Sequence, residues 1–228
     1  MRTLAATLAV LLAAAAQAGG TRTLALDHPA AGLATIDIDT AVGDVEIRGA
    51  EVDAVSASVT LRARKGKPTS SQRAAKFLET VELIPAVAGS TLRLRLQPDS
   101  RKGEYEASWS LLIPAGAGVR LAAGVGDVRI TDVRGGIHVD VGVGDVHLVD
   151  VTGEVVIDVG VGDVEVSGPW TAFGPVRASS GVGHGVLRTP EGRRGGRGFL
   201  GHELSATGPG AARLTVDAGV GDVTIVLR

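Results

Sequence analysis

The chain has 228 residues and a formal net charge of −2 at pH 7, and only 3% of its residues are aromatic. A charge near zero gives no field that attracts nucleic acid, and so few aromatic rings leave little for bases to stack on. The absence of cysteine excludes disulfides, thiolate catalysis and cysteine-bound zinc. Glycine is the outlier with 33 residues, which indicates a turn-rich β protein.

The first residues are typical of an export signal. Arg2 supplies a positive start, an apolar run extends from Leu4 to Ala16, and Ala16-Gln17-Ala18 has the small-x-small pattern that signal peptidase accepts. The run is shorter than a membrane span, because as a helix it would reach about 20 Å across a hydrocarbon core of about 30 Å. We therefore predict a signal peptide over residues 1–18, a mature chain from residue 19 with no transmembrane segment, and export to the periplasm or cell surface.

One short phrase built on glycine and aspartate recurs along the chain. Gly-Val-Gly-Asp-Val occurs intact at four positions, which begin at Gly124, Gly142, Gly160 and Gly219. A variant begins at Ala41, and a degraded copy that begins at Gly181 has His184 in place of the aspartate. The first three intact copies follow one another at equal intervals. Such self-similarity at a fixed period is typical of repeat architectures.

Between these phrases, apolar and polar residues alternate with the period of two that indicates strands. Val139 and Ile157 fall on the predicted inner face, and His138 and Val156 on the outer face. Near-identical units at a fixed spacing favour an all-β, Val-rich β-solenoid with coils of about 18 residues, in which equivalent residues stack ~4.8 Å apart. The alternative is an antiparallel β-sandwich in which the units are successive hairpins.

Residues 19–114 are less regular, and we interpret them as lead-in strands of the same body. Within them, a change of period predicts one short inserted helix over about residues 70–80. No Pro/Ser-rich linker separates this part from residues 115–228, which carry the Gly-Asp coils. The sequence therefore predicts a single β domain over residues 19–228.

The leader, the first Gly-Asp turn, the inserted helix and the repeated Gly-Val-Gly-Asp-Val turns together resemble the bacterial putative-adhesin domain family. The glycine-rich segment from Gly195 to Leu204, the last Gly-Asp turn and the apolar end at Ile225 to Leu227 resemble it too. This resemblance covers nearly all of the mature chain and implies an envelope protein with an adhesin-like β architecture. It implies no catalytic residues.

The turn glycines and aspartates are the most specific candidate site residues. They are Gly43, Asp44, Gly126, Asp127, Gly144, Asp145, Gly162, Asp163, Gly221 and Asp222. We expect each aspartate to bond amides of its own turn, which requires no metal or other cofactor. The alternative is a Ca²⁺ site made by Asp140, Asp145, Asp158 and Asp163, whose stacked charges would otherwise repel one another. His184 would interrupt such a row of ligands.

No catalytic constellation is present, because the sequence contains neither a His-Glu-x-x-His zinc motif nor a Gly-x-Ser-x-Gly nucleophile elbow. The basic segment with Arg193, Arg194 and Arg197 is interpreted as a solvated loop, with contact to anionic envelope material as the alternative.

The sequence thus predicts an exported, non-catalytic cell-envelope protein whose repetitive β surface serves adhesion, scaffolding or ligand binding. Its partner would be an envelope component or a surface ligand. The alternatives are a Ca²⁺-stabilised structural module and a β-helical polysaccharide-active enzyme.

Overall fold

The computed structural model describes residues 11–14, 21–63, 76–98, 105–196 and 201–228. Across these residues the protein is all-β, with helical conformation at residues 76–78 and one 3-10 turn at Trp170–Ala172. The predicted helix over residues 70–80 falls for the most part outside the described residues. The strands are β1 (Leu11–Ala14), β2 (Thr21–Pro29), β3 (Thr35–Val42), β4 (Val45–Ala50), β5 (Ala54–Ala63), β6 (Glu82–Ala88), β7 (Thr91–Gln97), β8 (Tyr105–Pro114), β9 (Gly118–Val125), β10 (Val128–Thr131), β11 (Ile137–Val143), β12 (Val146–Val149), β13 (Val155–Val161), β14 (Val164–Gly168), β15 (Phe173–Val182), β16 (Gly185–Thr189), β17 (Gly192–Gly196), β18 (His202–Thr207), β19 (Ala212–Val220) and β20 (Val223–Leu227).

The described strands form two mixed sheets. Sheet A has eleven strands in the order β1-β2-β5-β8-β4-β10-β12-β14-β20-β16-β17. Sheet B has nine strands in the order β18-β15-β19-β13-β11-β9-β3-β7-β6. Parallel pairs occupy the middle of both sheets, and antiparallel pairs lie toward their ends.

In the regular part of the chain, successive strands alternate between the two sheets. β9 lies in sheet B, a Gly-Asp turn follows, β10 lies in sheet A, and β11 returns to sheet B beside β9. We call a strand of sheet B, the Gly-Asp turn after it and the following strand of sheet A, such as β9 and β10, one strand–turn–strand unit. Residues one repeat apart are register partners, so Val139 lies beside both Leu121 and Ile157. Neighbouring units therefore pair in parallel.

The order of the units in space differs from their order in the sequence. The last unit, β19 and β20, pairs with β13 and β14 on one side and with β15 and β16 on the other. β18 and β17 occupy the outer edges of β15 and β16, so the last unit takes the inner position. Stacking in chain order would have placed His184 between Asp163 and Asp222. In the structure the turn with Asp222 lies next to the turn with Asp163 instead, and His184 lies at the end of the stack of turns.

The core lies between the sheets and is built from alternating apolar residues. Val139 and Ile157 are fully buried, whereas His138 is exposed and Val156 is half-buried, which confirms the predicted register. Val133 and Val151, which follow β10 and β12, are also fully buried. Each such side chain contributes about 1.5–3 kcal/mol by leaving water.

The lead-in strands join the regular units in both sheets. β4 pairs in parallel with β8 and β10, and β3 pairs in parallel with β7 and β9. Trp109 of β8 is buried, and its Nε1–H donates to Thr40 Oγ1 at 3.2 Å. One hydrophobic cluster runs through both parts of the chain. β1, which lies inside the predicted signal peptide, pairs with β2 at the edge of sheet A.

Candidate functional site

The Gly-Asp turns lie along one edge of the fold, where the chain passes from sheet B to sheet A; we call this the Gly-Asp edge. The second glycine of each phrase has a positive φ, which is +147° at Gly144 and +149° at Gly162. A Cβ atom at Gly144 would lie 2.1 Å from the carbonyl oxygen of Gly126 in the neighbouring unit. Close stacking of the units therefore requires glycine here for two reasons, backbone conformation and space.

The turn aspartates form one continuous row, defined here as the aspartate row: Asp44, Asp127, Asp145, Asp163 and Asp222. The Oδ1 of each of the first four accepts a hydrogen bond from the backbone N–H of the next member. The N···O distances in order are 3.1 Å from Asp127 to Asp44, 2.9 Å from Asp145 to Asp127, 2.8 Å from Asp163 to Asp145 and 2.7 Å from Asp222 to Asp163. The prediction that each aspartate bonds its own turn was therefore wrong, because these bonds connect neighbouring units. Parallel stacking brings the next unit's N–H against each carboxylate, which explains the difference.

His184 occupies the end of the aspartate row. Its backbone N–H donates to Asp222 Oδ1 at 2.7 Å, and its Nδ1 lies 3.3 Å from the same oxygen. The backbone bond is the main cause that lowers the pKa of Asp222 below its ordinary value; burial opposes it, and the His184 side chain adds to it. A terminal position needs only an N–H donor, so histidine replaces aspartate there without breaking the row.

A second set of carboxylates lies on the outer face of sheet B; we call Asp140, Asp158 and Asp217 the outer acidic row. They are register partners on adjacent strands β11, β13 and β19, and all three are exposed. Asp217 accepts a hydrogen bond from the Ser179 hydroxyl. Asp140 and Asp158 make no hydrogen bond or ion pair with the residues that the structure describes.

The four predicted calcium ligands thus divide between two rows. Asp140 lies beside Asp158 in the outer acidic row, and Asp145 is bonded to Asp163 in the aspartate row. Val141, Gly142, Val143 and Gly144 separate the rows along the chain. Within the described part of the chain, no group of three or more His, Cys, Asp or Glu residues is placed to hold a metal ion.

An exposed row of valines runs between the two acidic rows. Its members, the valine row, are Val125, Val143, Val161, Val220 and Val182, and each is between 42% and 48% exposed. They are register partners on five adjacent strands of sheet B. Exposed glycines precede them, at Gly124, Gly142, Gly160, Gly219 and Gly181. Sequence reasoning missed this row, because counting by twos from buried Val141 places Val143 inside, whereas the chain turns at Gly144.

The basic segment is a strand and not the predicted loop. Gly192–Gly196 forms β17, which pairs antiparallel with β16 and places Arg193 opposite Arg188. The Arg194 guanidinium donates to the backbone carbonyl oxygen of Ser205 on β18, so it ties the two sheets together at this end. Arg197 lies outside the described residues. The segment forms a strand because the edge of β16, which would otherwise be unpaired, offers it a full set of backbone partners.

A shallow cleft of about 510 Å³ lies on the outer face of sheet A. Four hydroxyl groups and several charged side chains line it: Ser58, Thr60, Ser108, Ser110, Asp44, Glu46, Asp127, Arg129 and His147. His147 Nδ1 lies 3.3 Å from Glu165 on the next strand. Trp109 also borders the cleft, but the indole is only 2% exposed, so it offers no ring face for a sugar to stack on.

Comparison with known proteins identifies similar structures but no sequence family. No protein-family model matches the chain, and the search of curated proteins found no match. The fold is similar to the crystal structure of a putative cell adhesion protein from Clostridium sporogenes, with a TM-score of 0.62 and 17% identity over 91% of this chain and 100% of that chain.

A putative adhesin from Bacteroides fragilis aligns with a TM-score of 0.37 and 14% identity over 90% of this chain and 97% of that chain. At these identities the likeness concerns the fold alone, and it rests on the first of the two structures. No helix in the described part of the chain has the length and apolar character needed to cross a membrane.

Proposed function

We propose that this chain is an exported, non-catalytic cell-envelope protein whose stacked units form a β-solenoid with a binding surface that serves adhesion. The main support for the proposal is the arrangement of side chains at the Gly-Asp edge. There, identical side chains recur on five adjacent strands of sheet B, with an exposed apolar row between two acidic rows. Hydrogen bonds between units fix the spacing of these rows, so the surface is pre-organised for a partner.

Three further observations support parts of this proposal. The constant register offset between parallel units supports the solenoid. The leader pattern supports export to the periplasm or cell surface. The fold likeness to a protein described as a putative cell adhesion protein supports the adhesive role by analogy.

Export can be tested by fractionating cells that express the full chain. We expect a mature protein outside the cytoplasm whose N-terminus, measured by mass spectrometry, lies near Gly19. A matched variant, Ala18→Arg, places a bulky charge at the cleavage site and should accumulate as an unprocessed precursor. An intact chain that begins at Met1 and stays in the cytoplasm would contradict the proposal.

Adhesion can be tested separately with a strain that lacks the protein. We expect weaker attachment to neighbouring cells or surfaces, restored by the wild-type gene. Attachment that does not depend on the protein would overturn the adhesive role, whatever the result of the export experiment.

A further inference from the structure

We propose that the valine row and its two flanking acidic rows together bind a basic amphipathic helix of a partner protein. This inference deepens the proposed binding function and rests on it. The site comprises the five valines of the valine row, Asp127, Asp145, Asp163 and Asp222 on one side, and Asp140, Asp158 and Asp217 on the other. It runs across five adjacent strands of sheet B, perpendicular to their direction.

The apolar part of this surface is concentrated in one line. Eight large hydrophobic side chains are exposed among the described residues, and five of them are the members of the valine row. Adjacent strands are ~4.8 Å apart, so the row extends over about 19 Å. The glycines beside it allow the units to stack closely, because a Cβ atom at Gly142 would lie 2.6 Å from the Gly124 carbonyl oxygen. Aligned exposed apolar groups of this kind mark interaction sites.

The charges around the valine row select the chemistry of the partner. Carboxylates lie on both sides of it, and two of them, Asp140 and Asp158, have no partner among the described residues. The arginines nearest to these rows lie two positions along the strands: Arg129 follows the aspartate row, and Arg120 and Arg177 lie beyond the outer acidic row; among the described residues none of the three forms an ion pair with either row. Anionic glycans and acidic lipid headgroups would be repelled here, whereas lysine and arginine side chains would be attracted.

A helix fits this arrangement better than an extended strand does. A strand that turns its apolar side chains toward the valines points the alternate side chains away from the carboxylates. A helix carries an apolar stripe with long basic side chains on both of its flanks, and these can reach the acidic rows on either side. About 13 residues, at 1.5 Å per residue, match the length of the valine row.

The experiment measures binding of a designed probe to the purified full chain by fluorescence anisotropy. The probe is a labelled 14-residue helical peptide with a leucine stripe flanked by lysines, and the matched control peptide has glutamate in place of each lysine. We expect the lysine peptide to bind, with an affinity that falls as salt is raised, and the glutamate peptide to bind at least about tenfold more weakly.

Variants locate the site on the surface. Val143→Thr combined with Val161→Thr keeps the branched shape but replaces one methyl group of each valine with a hydroxyl. Less apolar surface would then be buried against the helix, so we expect about fivefold weaker binding. Asp140→Asn combined with Asp158→Asn should weaken binding and flatten its salt dependence. Val87→Thr on β6, a valine that is 47% exposed outside the site, is the matched control and should bind like the wild type.

Three outcomes would overturn the inference. Equal binding of the lysine and glutamate peptides, or unchanged binding by the valine double variant, would show that this surface is not the site. Self-association of the wild-type chain in sedimentation experiments that the valine double variant abolishes would identify a second copy as the occupant. The adhesion experiment is independent of these results. Peptide binding without any effect of the protein on attachment would contradict the proposed adhesive function but would still support this binding site.

Discussion

Sheet B continues from the lead-in strands into the regular units without a break, but the carboxylates on its outer face have arginine partners in only one of the two parts. In the lead-in part, Asp37 and Asp39 on β3 each pair with an arginine of β7; Arg93 Nε lies 3.0 Å from Asp37 Oδ2, and Arg95 bonds Asp39. Asp140 and Asp158 lie in the same register row as Asp39, two and three strands away from it. They are neighbours without a compensating charge.

This difference indicates what each set of charges does. Opposite charges on neighbouring strands stabilise a sheet, and like charges on neighbouring strands destabilise it. The carboxylates of Asp37 and Asp39 therefore contribute to folding, whereas those of Asp140 and Asp158 reduce stability and leave a charged surface open to a partner. The aspartate row shows that the regular units can also use carboxylates structurally, because there each one accepts a backbone N–H.

The largest effect is expected in the core of the regular units. Val139→Asp would place an unpaired charge at a position that is fully buried, and it should cost several kcal/mol or prevent folding. His138→Asp, at the exposed neighbouring residue, should change the free energy of unfolding only slightly. Urea unfolding followed by circular dichroism measures both, and equal tolerance of the two changes would contradict the register.

The next effect concerns the stacking of units at the Gly-Asp edge. Gly144→Ala would add a Cβ atom 2.1 Å from the Gly126 carbonyl oxygen, and we expect a loss of about 3 kcal/mol or more. Gly192 has a similar φ of +141°, but a Cβ there would meet nothing within 4 Å. Gly192→Ala should therefore lower the free energy of unfolding by the backbone strain alone, about 1–2 kcal/mol. Similar losses for the two variants would show that backbone conformation, and not close stacking, requires the glycine.

A smaller effect is expected for one bond of the aspartate row. Asp145→Ala removes the acceptor for the Asp163 N–H and should cost about 1 kcal/mol. Asp145→Asn keeps an oxygen acceptor, so its stability should be close to that of the wild type. We also expect the wild-type melting temperature to be the same in millimolar calcium and in chelator. A calcium-dependent rise that Asp145→Asn abolishes would make this row a metal site.

The smallest expected effect is the pH dependence at the end of the row. The lowered pKa of Asp222 means that its charged form is favoured by folding, so its contribution is complete above the ordinary pKa of about 4 and is lost as pH falls through the lower folded value. Asp222 is exposed, so the change is small. Unfolding curves of Asp222→Asn should differ from those of the wild type less at pH 3 than at pH 7. The opposite order would contradict the assigned bond from His184.

The sequence pattern was sufficient to predict the strands and the faces of the regular units. Alternation around Val139 and Ile157 fixed which residues are buried, and the constant interval between the repeated phrases fixed which residues are register partners. These features follow from local periodicity, which a single sequence displays directly.

Other features depend on which strand edges remain free, and local periodicity does not carry that information. The interval from His184 to Asp222 is longer than one repeat, and nothing in it shows that the last unit returns between β13 and β15. The strand at Gly192–Gly196 consists of glycines and arginines in place of an alternating apolar pattern, and only the edge of β16 makes it a strand. The exposure of the valine row likewise depends on the position of the turn at Gly144.

The most direct test of the account compares two neutralised sets of carboxylates in sheet B by urea unfolding. If Asp140 and Asp158 are kept for binding at a cost in stability, Asp140→Asn combined with Asp158→Asn should raise the free energy of unfolding by about 0.5–1 kcal/mol at low salt, and less at high salt. Asp37→Asn, which breaks the half-buried pair with Arg93, should lower it by about 1 kcal/mol. A double variant that loses stability as Asp37→Asn does would show that the outer acidic row is structural and would contradict its assignment to a binding surface.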